Sequence, residues 1–591
     1  MAGLELVLLL LAVAGALRVV AGRLAVPYPV LLVVGGLLLA LVPGLPRITL
    51  EPDALFLIFV PPLLYWGARS LSFRDFRRAL GPITRLAILM VLVSTAAVAV
   101  VARAVDPTFT WAAAIALGAI VSPPDPVAVL SIVRALSAPR EVESILEGEG
   151  LLNDATALVA YRIAVAAAVT GMFSPWRAGV QFVVGGGGGV VVGIAVALAV
   201  LHVHRLLGQA PVVQSLVSLL TPFAAYLPAE LLGTSGVLAV VATGMYVGRH
   251  ALGFSDPAIR LQNEALWTVV TFLLESLIFI FIGLELPFVT RAMAHATLGR
   301  LLREAALVSA CVVLVRLAWM VPSTYIGRAV GRWARGSHEP LPSWRVVLFV
   351  GWAGMRGGDS LVLALALPLA TAAGAPFPAR ERIIFLTFAV ILVTLVVQGT
   401  SLTPLLKWLR LPTERQAEDE EAHARVLAAE AAVRALDDPA VADGAHPEVI
   451  RYLRRRHQQR ARRWAARESR QLRGRSHDFA QPHAVAAPSH EAGALDEQRA
   501  AEYRLLRARM IREELATVTA LRDRGVIGDD VLRRIQRDLD LEAILLGTSE
   551  PVVEPPSEVA SAIDRSDGGA ATGAAIGTRS ASSGETRPEV Q

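Results

Sequence analysis

The sequence predicts an all-α polytopic membrane protein with a helical cytosolic tail, and three observations carry that reading. Of its 591 residues 54% are hydrophobic and the mean hydropathy is +0.53, too apolar for a set of soluble domains. About thirteen apolar stretches reach spanning or near-spanning length. After Leu411 the composition turns polar and charged.

The first stretch, GLELVLLLLAVAGAL, has no basic leader, carries Glu5 and lacks a convincing cleavage site, so it reads as a retained transmembrane helix. The others centre near Val34, Val60, Val93, Ala119, Ala160, Val192, Phe223, Val241, Leu277, Val313, Met355 and Leu392. Loops between them alternate in charge: that with Arg69, Arg74, Arg77, Arg78 and Arg85 is basic, as is that with Arg328, Arg332, Arg335 and Arg345. Short loops on one side hold about 16 arginines and those on the other about 8, which puts the amino terminus outside the cytoplasmic (inner) membrane. An odd number of spans then leaves the carboxyl terminus in the cytoplasm.

The sequence pI of 9.7 is therefore first a topology signal. Nucleic acid is not an expected partner, because aromatic platforms are nearly absent beside the basic tail. Cys311, the only cysteine, excludes a disulfide frame or a thiolate metal site. With no P-loop, no Gly-x-Ser-x-Gly and no His-Glu-x-x-His, neither an enzyme nor a cofactor is expected.

Two apolar stretches carry interruptions. The fifth, ALGAIVSPPDPVAVLSIV, brackets Asp125 with Pro123, Pro124 and Pro126; prolines remove backbone donors and block carbonyls one turn before, so the helix must break. The twelfth, VVLFVGWAGMRGGDSLVLALALP, sets Gly351, Gly354, Gly357 and Gly358 around Arg356 and Asp359. Seven spans separate the two breaks, an odd number, so the halves of the chain would be inverted repeats. That pattern points to a secondary transporter with its site at the midplane.

The sixth stretch, EGEGLLNDATALVAYR, keeps carboxylates in a greasy helix at a cost of about 2.5 to 3.5 kcal/mol each. Asn153 and Asp154 are adjacent, Glu149 lies one turn before Asn153, and Gly150 one turn before Asp154, leaving a hollow for a small cation or water. A carboxylate suits a hard cation such as Na+, and Asn153 offers an amide oxygen or a structural hydrogen bond. Proton and cation then compete for Asp154, and that competition is itself an exchange mechanism. Glu149 is open as ligand, gating acid or partner of a basic group; Asp125 is open as ligand or as partner for the exposed backbone of its break. Arg356, a permanent cation, is assigned to electrostatics at the carbonyl ends of half-helices; Asp359 is open as its nearest candidate partner or as a solvated residue at the funnel mouth.

Beyond the apolar region, Thr413 to Leu436, Glu448 to Gln471 and Glu502 to Leu546 have helical patterning, with Gly525 stopping one helix and Asp529 capping the next. The arginine-rich helix is suited to rest on anionic lipid headgroups or in solvent. The expected domains are 1–411 transmembrane, 412–546 helical tail, and 547–591 disordered for want of large apolar groups.

GEGLLNDATALVAYR, VSPPDPVAVLSIVRAL, FVPPLLYWGARSLSFRDFRR, WAGMRGGDSLVLALALP, FIFIGLEL and VVQGTSLTPLLKWLRL resemble the hallmark segments of bacterial sodium/proton exchangers of the monovalent cation:proton antiporter-1 family, over roughly residues 1 to 412. The resemblance implies an antiporter fold with two crossed discontinuous helices. It also implies a homodimer whose core domain moves against the dimer interface in an elevator-like alternating access, and electroneutral exchange at Asp154. The arginine matching Arg356 stabilises the crossed helices.

The chain departs from the family pattern at several places. Gly150 stands where many members have serine, Pro124 where many have threonine, and Trp66 where numerous relatives have glutamate. Asp359 and Glu275 stand where apolar or amide residues are more usual. These changes leave the cation open among sodium, lithium and potassium. The expected function is sodium/proton antiport for pH and salt homeostasis; a potassium/proton exchanger on the same scaffold, or a non-transporting sensor of cations or pH, are the alternatives.

Overall fold

The computed structural model describes residues 2–24, 28–42, 52–78, 80–125, 129–130, 133, 140–172, 175–208, 210–250, 256–292, 297–335, 343–410, 416–442, 445–472 and 495–547. The chain divides into two compact units, Met1–Glu414 and Arg415–Gln591.

In the first unit the helices are α1 (Ala2–Leu24), α2 (Tyr28–Ala40), α3 (Pro52–Ser70), α4 (Leu80–Val105), α5 (Trp111–Val121), α6 (Arg140–Thr170) and α7 (Pro175–Leu207). There follow α8 (Pro211–Leu231), α9 (Gly236–His250), α10 (Pro257–Ala292), α11 (Leu298–Arg335), α12 (Trp344–Trp352), α13 (Gly358–Leu365) and α14 (Arg380–Leu409). Each expected span centre falls in one of these helices except Met355, which lies in the gap between α12 and α13. Among the described residues, seven helices can cross a membrane by length and composition: those holding Leu80–Val105, Ile145–Thr170, Val183–Leu207, Pro211–Leu231, Pro257–Glu285, Gly299–Ile326 and Arg380–Leu409.

Helix contacts in this unit are close because glycine lets backbones touch. A Cβ at Gly36 of α2 would stand 2.2 Å from the Ile280 carbonyl, and one at Gly283 of α10 would stand 2.1 Å from that of Val33. Small residues at facing positions are how helices associate where no water drives them together. Among the described residues two π-helical turns, Arg85–Met90 within α4 and Thr394–Gln398 within α14, interrupt otherwise regular helices. Such turns shift the register by one residue and gather at functional sites.

The second unit holds α15 (Gln416–Ala435), α16 (Pro447–Leu472), α17 (Leu495–Arg524) and α18 (Asp529–Leu545). Leu453, Leu506 and Met510 meet in its core with Ala432 and Leu436. Gly525, at φ +80°, ends α17 in the left-handed conformation that suits glycine. The N-cap of α18 is Gly528, and Asp529 sits in its first turn, where a carboxylate favours the amide end of the helix. Apart from Gly547, the segment 547–591 lies outside the described residues.

Candidate functional site

Helix α5 starts on Thr110, whose hydroxyl accepts from the Ala113 amide, and ends at Val121 because Pro123 and Pro124 follow. Helix α12 ends at Trp352, and Ala353 to Gly357 run non-helical before α13 begins. Both gaps leave carbonyls that a helix would have satisfied, and a buried arginine serves each. Arg356 donates from Nε to the Val121 carbonyl (2.8 Å) and from Nη2 to that of Ser122 (3.0 Å), closing α5, and it also bonds the Gly354 carbonyl. Arg316 of α11 donates from Nε to the Gly351 carbonyl (3.2 Å) and from Nη2 to that of Val350 (3.1 Å), closing α12. The negative end of each half-helix is thus met by a guanidinium.

The two gaps also meet each other. The Asp125 amide donates to the Met355 carbonyl at 2.7 Å. The Asp125 carboxylate lies so close over Gly357 that a Cβ there would stand 1.6 Å from its oxygen, which is why glycine is needed. Gly358 is pressed in the same way against Ile278 of α10, at 1.7 Å from a would-be Cβ. The Arg356 amide, left without a helical partner, donates to Thr394 Oγ1 at 3.0 Å, within the π-helical turn of α14.

Against this pair of gaps α6 sets its polar face. Asn153 Nδ2 donates to the Pro124 carbonyl (3.1 Å), while its Oδ1 is buried with no partner. Asp154 is half-buried in the field of Asp359 and Asp125, also half-buried. Gly150 is buried on the same helix. Glu149 turns instead to Arg316: its Oε2 accepts from Nη2 at 2.9 Å and its Oε1 from Nη1, both side chains being buried. Among the three readings open for Glu149, the structure thus displays the partner of a basic group. Arg356 makes its side-chain bonds to backbone carbonyls rather than to Asp359, because the fork of the guanidinium fits the carbonyls that α5 leaves free.

The structure brings together Asp125, Pro124, Asn153, Asp154, Arg356 and Asp359, all marked by the sequence. Two residues that hold the gap backbone went unmarked. Arg316 sits in the apolar run SACVVLVRLAWMV, and an ionisable residue inside a span is itself a signal. Thr394 carries no such signal, since a threonine in a helix is unremarked until a π-helical turn aims it.

Among the described residues no three His, Cys, Asp or Glu side chains form a metal-holding group. What the site offers a cation is one carboxylate at Asp154, the orphan amide oxygen of Asn153 beside it, and a surplus of acids over arginines. Neutralising that surplus takes either protons or a cation, and both can be held by one carboxylate.

Residues 7–408 match the family described as the transmembrane sodium/hydrogen exchanger. The chain is 34% identical to an uncharacterised Na(+)/H(+) exchanger of Mycobacterium tuberculosis over 92% of its own length and 96% of that protein. It is 31% identical to a sodium, potassium, lithium and rubidium/H(+) antiporter of Bacillus pumilus, over 64% of this chain and 58% of that one. The fold resembles the solved sodium proton antiporter of Methanocaldococcus jannaschii, with a TM-score of 0.50 at 21% identity, covering 69% of this chain and 98% of that one.

Proposed function

The chain belongs to the sodium/hydrogen exchanger family, and from that premise we propose that Asp154 carries a monovalent cation one way and a proton the other across the cytoplasmic membrane. The observation that carries the assignment to Asp154 is its place: a carboxylate without a hydrogen bond or ion pair among the described residues, next to a buried amide oxygen that also lacks a partner. Exchange follows if the cation displaces the proton and the loaded site is open to one side at a time. One cation for one proton on a single carboxylate leaves the site's charge unchanged, so the exchange is electroneutral.

In this reading thirteen helices form two inverted repeats, amino terminus outside and tail in the cytoplasm. The α5 and α12–α13 discontinuities cross at the midplane, and the contact of the Asp125 amide with the Met355 carbonyl supports that crossing. The backbone around the crossing is held by Arg356, Arg316 and Glu149, which belong to the scaffold rather than to the ion's shell. A homodimer with a moving core gives alternating access, and pH and salt homeostasis is its use. The division of the chain between Glu414 and Arg415 supports a transmembrane domain at about 1–411 and a separate helical tail over 412–546.

Sodium is the first cation assigned. Potassium is the second reading, favoured by Gly150, which offers no hydroxyl to the ion, and in keeping with the several cations named for the Bacillus pumilus relative. Everted vesicles with an acid interior test both. Sodium, lithium or potassium added outside should release protons in the wild type, and Asp154→Asn should abolish that release while protein yield is kept. A wild type that dissipates no gradient with any of the three, between about pH 6 and 9, sinks the transporter reading.

A further inference from the structure

The acidic surplus extends beyond the crossing onto α10. Glu275 is half-buried in a span where a carboxylate is costly, and among the described residues it makes no hydrogen bond and no ion pair. Its surroundings place it between two regions. One turn on, Ile278 packs on Gly358, the neighbour of Asp359, and Asp125 lies over Gly357 in the same gap. Residues i and i+3 share a helix face, so Glu275 opens onto the seam between α10 and the α12–α13 gap.

On its other side, Tyr28 of α2 stacks on Phe272 at 5.8 Å and bonds Ser276 Oγ through its hydroxyl at 2.7 Å, with the Arg18 guanidinium 5.2 Å from its ring. Arg18 is exposed. The charged and titratable groups acting on Glu275 are Asp125, Arg18, Asp359 and Tyr28, from the α5 gap, α1, α13 and α2. A cluster of acids alone would identify nothing. Here the buried, unpartnered Asn153 Oδ1, on the residue whose amide group binds the carbonyl before Asp125, independently marks the same cluster as holding a ligand.

We propose that Glu275 is a second carboxylate of the exchange reaction, which receives the cation or the proton between Asp154 and the Arg18 edge and thereby sets cation affinity and its dependence on pH. The seam between α10 and the gap is then the route by which the ion reaches the crossing. Asp359 stands on that route as well, one residue beyond the Gly358 contact. The proposal rests on exchange at Asp154, and its test keeps the two apart.

Full-length protein in liposomes is assayed for sodium-driven proton movement, with the apparent KM for sodium measured across about pH 6 to 9. Glu275→Gln should raise that KM on the order of fivefold at the alkaline end, the loss of one nearby charge. It should also flatten the dependence of log KM on pH, because the charge at position 275, which fades as pH falls, no longer acts on the cation. Glu275→Asp should keep the steep slope. Ser276→Ala, which breaks the Tyr28 bond and leaves the carboxylate, should keep both slope and KM. Equal KM and slope in Glu275→Gln and wild type overturn the proposal; so does a loss shared alike by Gln, Asp and Ser276→Ala, which would make the role packing. A wild type that moves no protons with sodium fails the function itself, whatever Glu275 does.

Discussion

A cluster of buried charge in the tail and the one around the two gaps of the membrane unit are built on opposite plans. In the tail, Arg507 is fully enclosed and donates to Glu542 from Nε (2.8 Å) and Nη2 (2.7 Å) and to Glu514 from Nη1 (2.9 Å). His457 Nε2 lies 3.3 Å from Glu514, and Arg460 reaches Glu514 and Glu542 at 3.8 and 3.7 Å. Both carboxylates have arginine partners, so α16, α17 and α18 are clasped by a neutralised knot. In the membrane unit Glu149 and Arg316 are a matched pair, but Asp154, Asp359 and Glu275 have neither hydrogen bond nor ion pair among the described residues. A matched buried cluster has its partners already, whereas an unmatched buried carboxylate can still be neutralised by a cation or a proton. Under the proposed exchange, charge that is left over, rather than charge that is buried, marks the site.

That contrast is broken most severely at the matched pair beside the two gaps. Arg316→Met strips Glu149 of its partner and uncaps α12, and breaking a buried pair from one side costs about 3 to 5 kcal/mol. Little folded protein is expected, seen as a fall in yield and in the thermal midpoint in detergent. The double variant Glu149→Gln with Arg316→Met should recover part of the loss, since no buried charge is then stranded. If Arg316→Met folds as well as wild type and only its cation affinity changes, Glu149 returns to the ion's shell and the division into matched and unmatched acids fails.

The tail cluster responds to pH instead. Burial works to raise the Glu514 carboxyl, but Arg507, the His457 hydrogen bond and Arg460 outweigh it and hold it at about 2, below the ordinary value of 4.5. Glu542 is also held low: burial opposes, and the hydrogen bond and charge of Arg507 prevail. A carboxyl depressed in the folded state contributes stability that is present above its unfolded pKa and lost as pH falls through the folded one. For Glu514 that contribution is on the order of 3 kcal/mol and disappears between about pH 4.5 and 2. Amide protection factors in α16 to α18 of the intact protein, which are corrected for the intrinsic pH dependence of exchange, should fall as pH drops through that interval and stay level above it. Glu514→Gln should show faster exchange at neutral pH with most of the acid dependence gone. A wild-type tail whose protection factors do not change down to about pH 3 would show that its charges are not matched in the way the geometry indicates.

How far the sequence reveals these two plans differs between them. Proline in the fifth stretch and glycine in the twelfth foretell the gaps, because each residue type acts on its own backbone. Asp154 and Asn153 are legible for a similar reason, since a charge in an apolar helix is anomalous wherever it points. Partners are another matter. That Glu149 turns to Arg316, 167 residues away, and Arg356 to the carbonyls of Val121 and Ser122 depends on which helices lie side by side, which local patterning does not encode. The tail knot is hidden in a segment so rich in arginine that buried Arg507 looks like its solvated neighbours.

The mildest test concerns Thr394, which the π-helical turn of α14 aims at the gap. Its hydroxyl accepts from the Arg356 amide and donates to the Val390 carbonyl at 2.8 Å. Thr394→Val keeps the shape and removes both bonds, leaving the Arg356 amide buried without an acceptor at a cost of about 1 to 3 kcal/mol. The guanidinium bonds to Val121 and Ser122 are independent of that hydroxyl, so the helix ends stay capped. A thermal midpoint lower by a few degrees, with the sodium KM and its pH slope unchanged, is therefore expected. Were the slope to flatten as in Glu275→Gln, the gap backbone would itself control the titrating acids, and the line between scaffold and working charges would have to be drawn through Arg356 rather than around it.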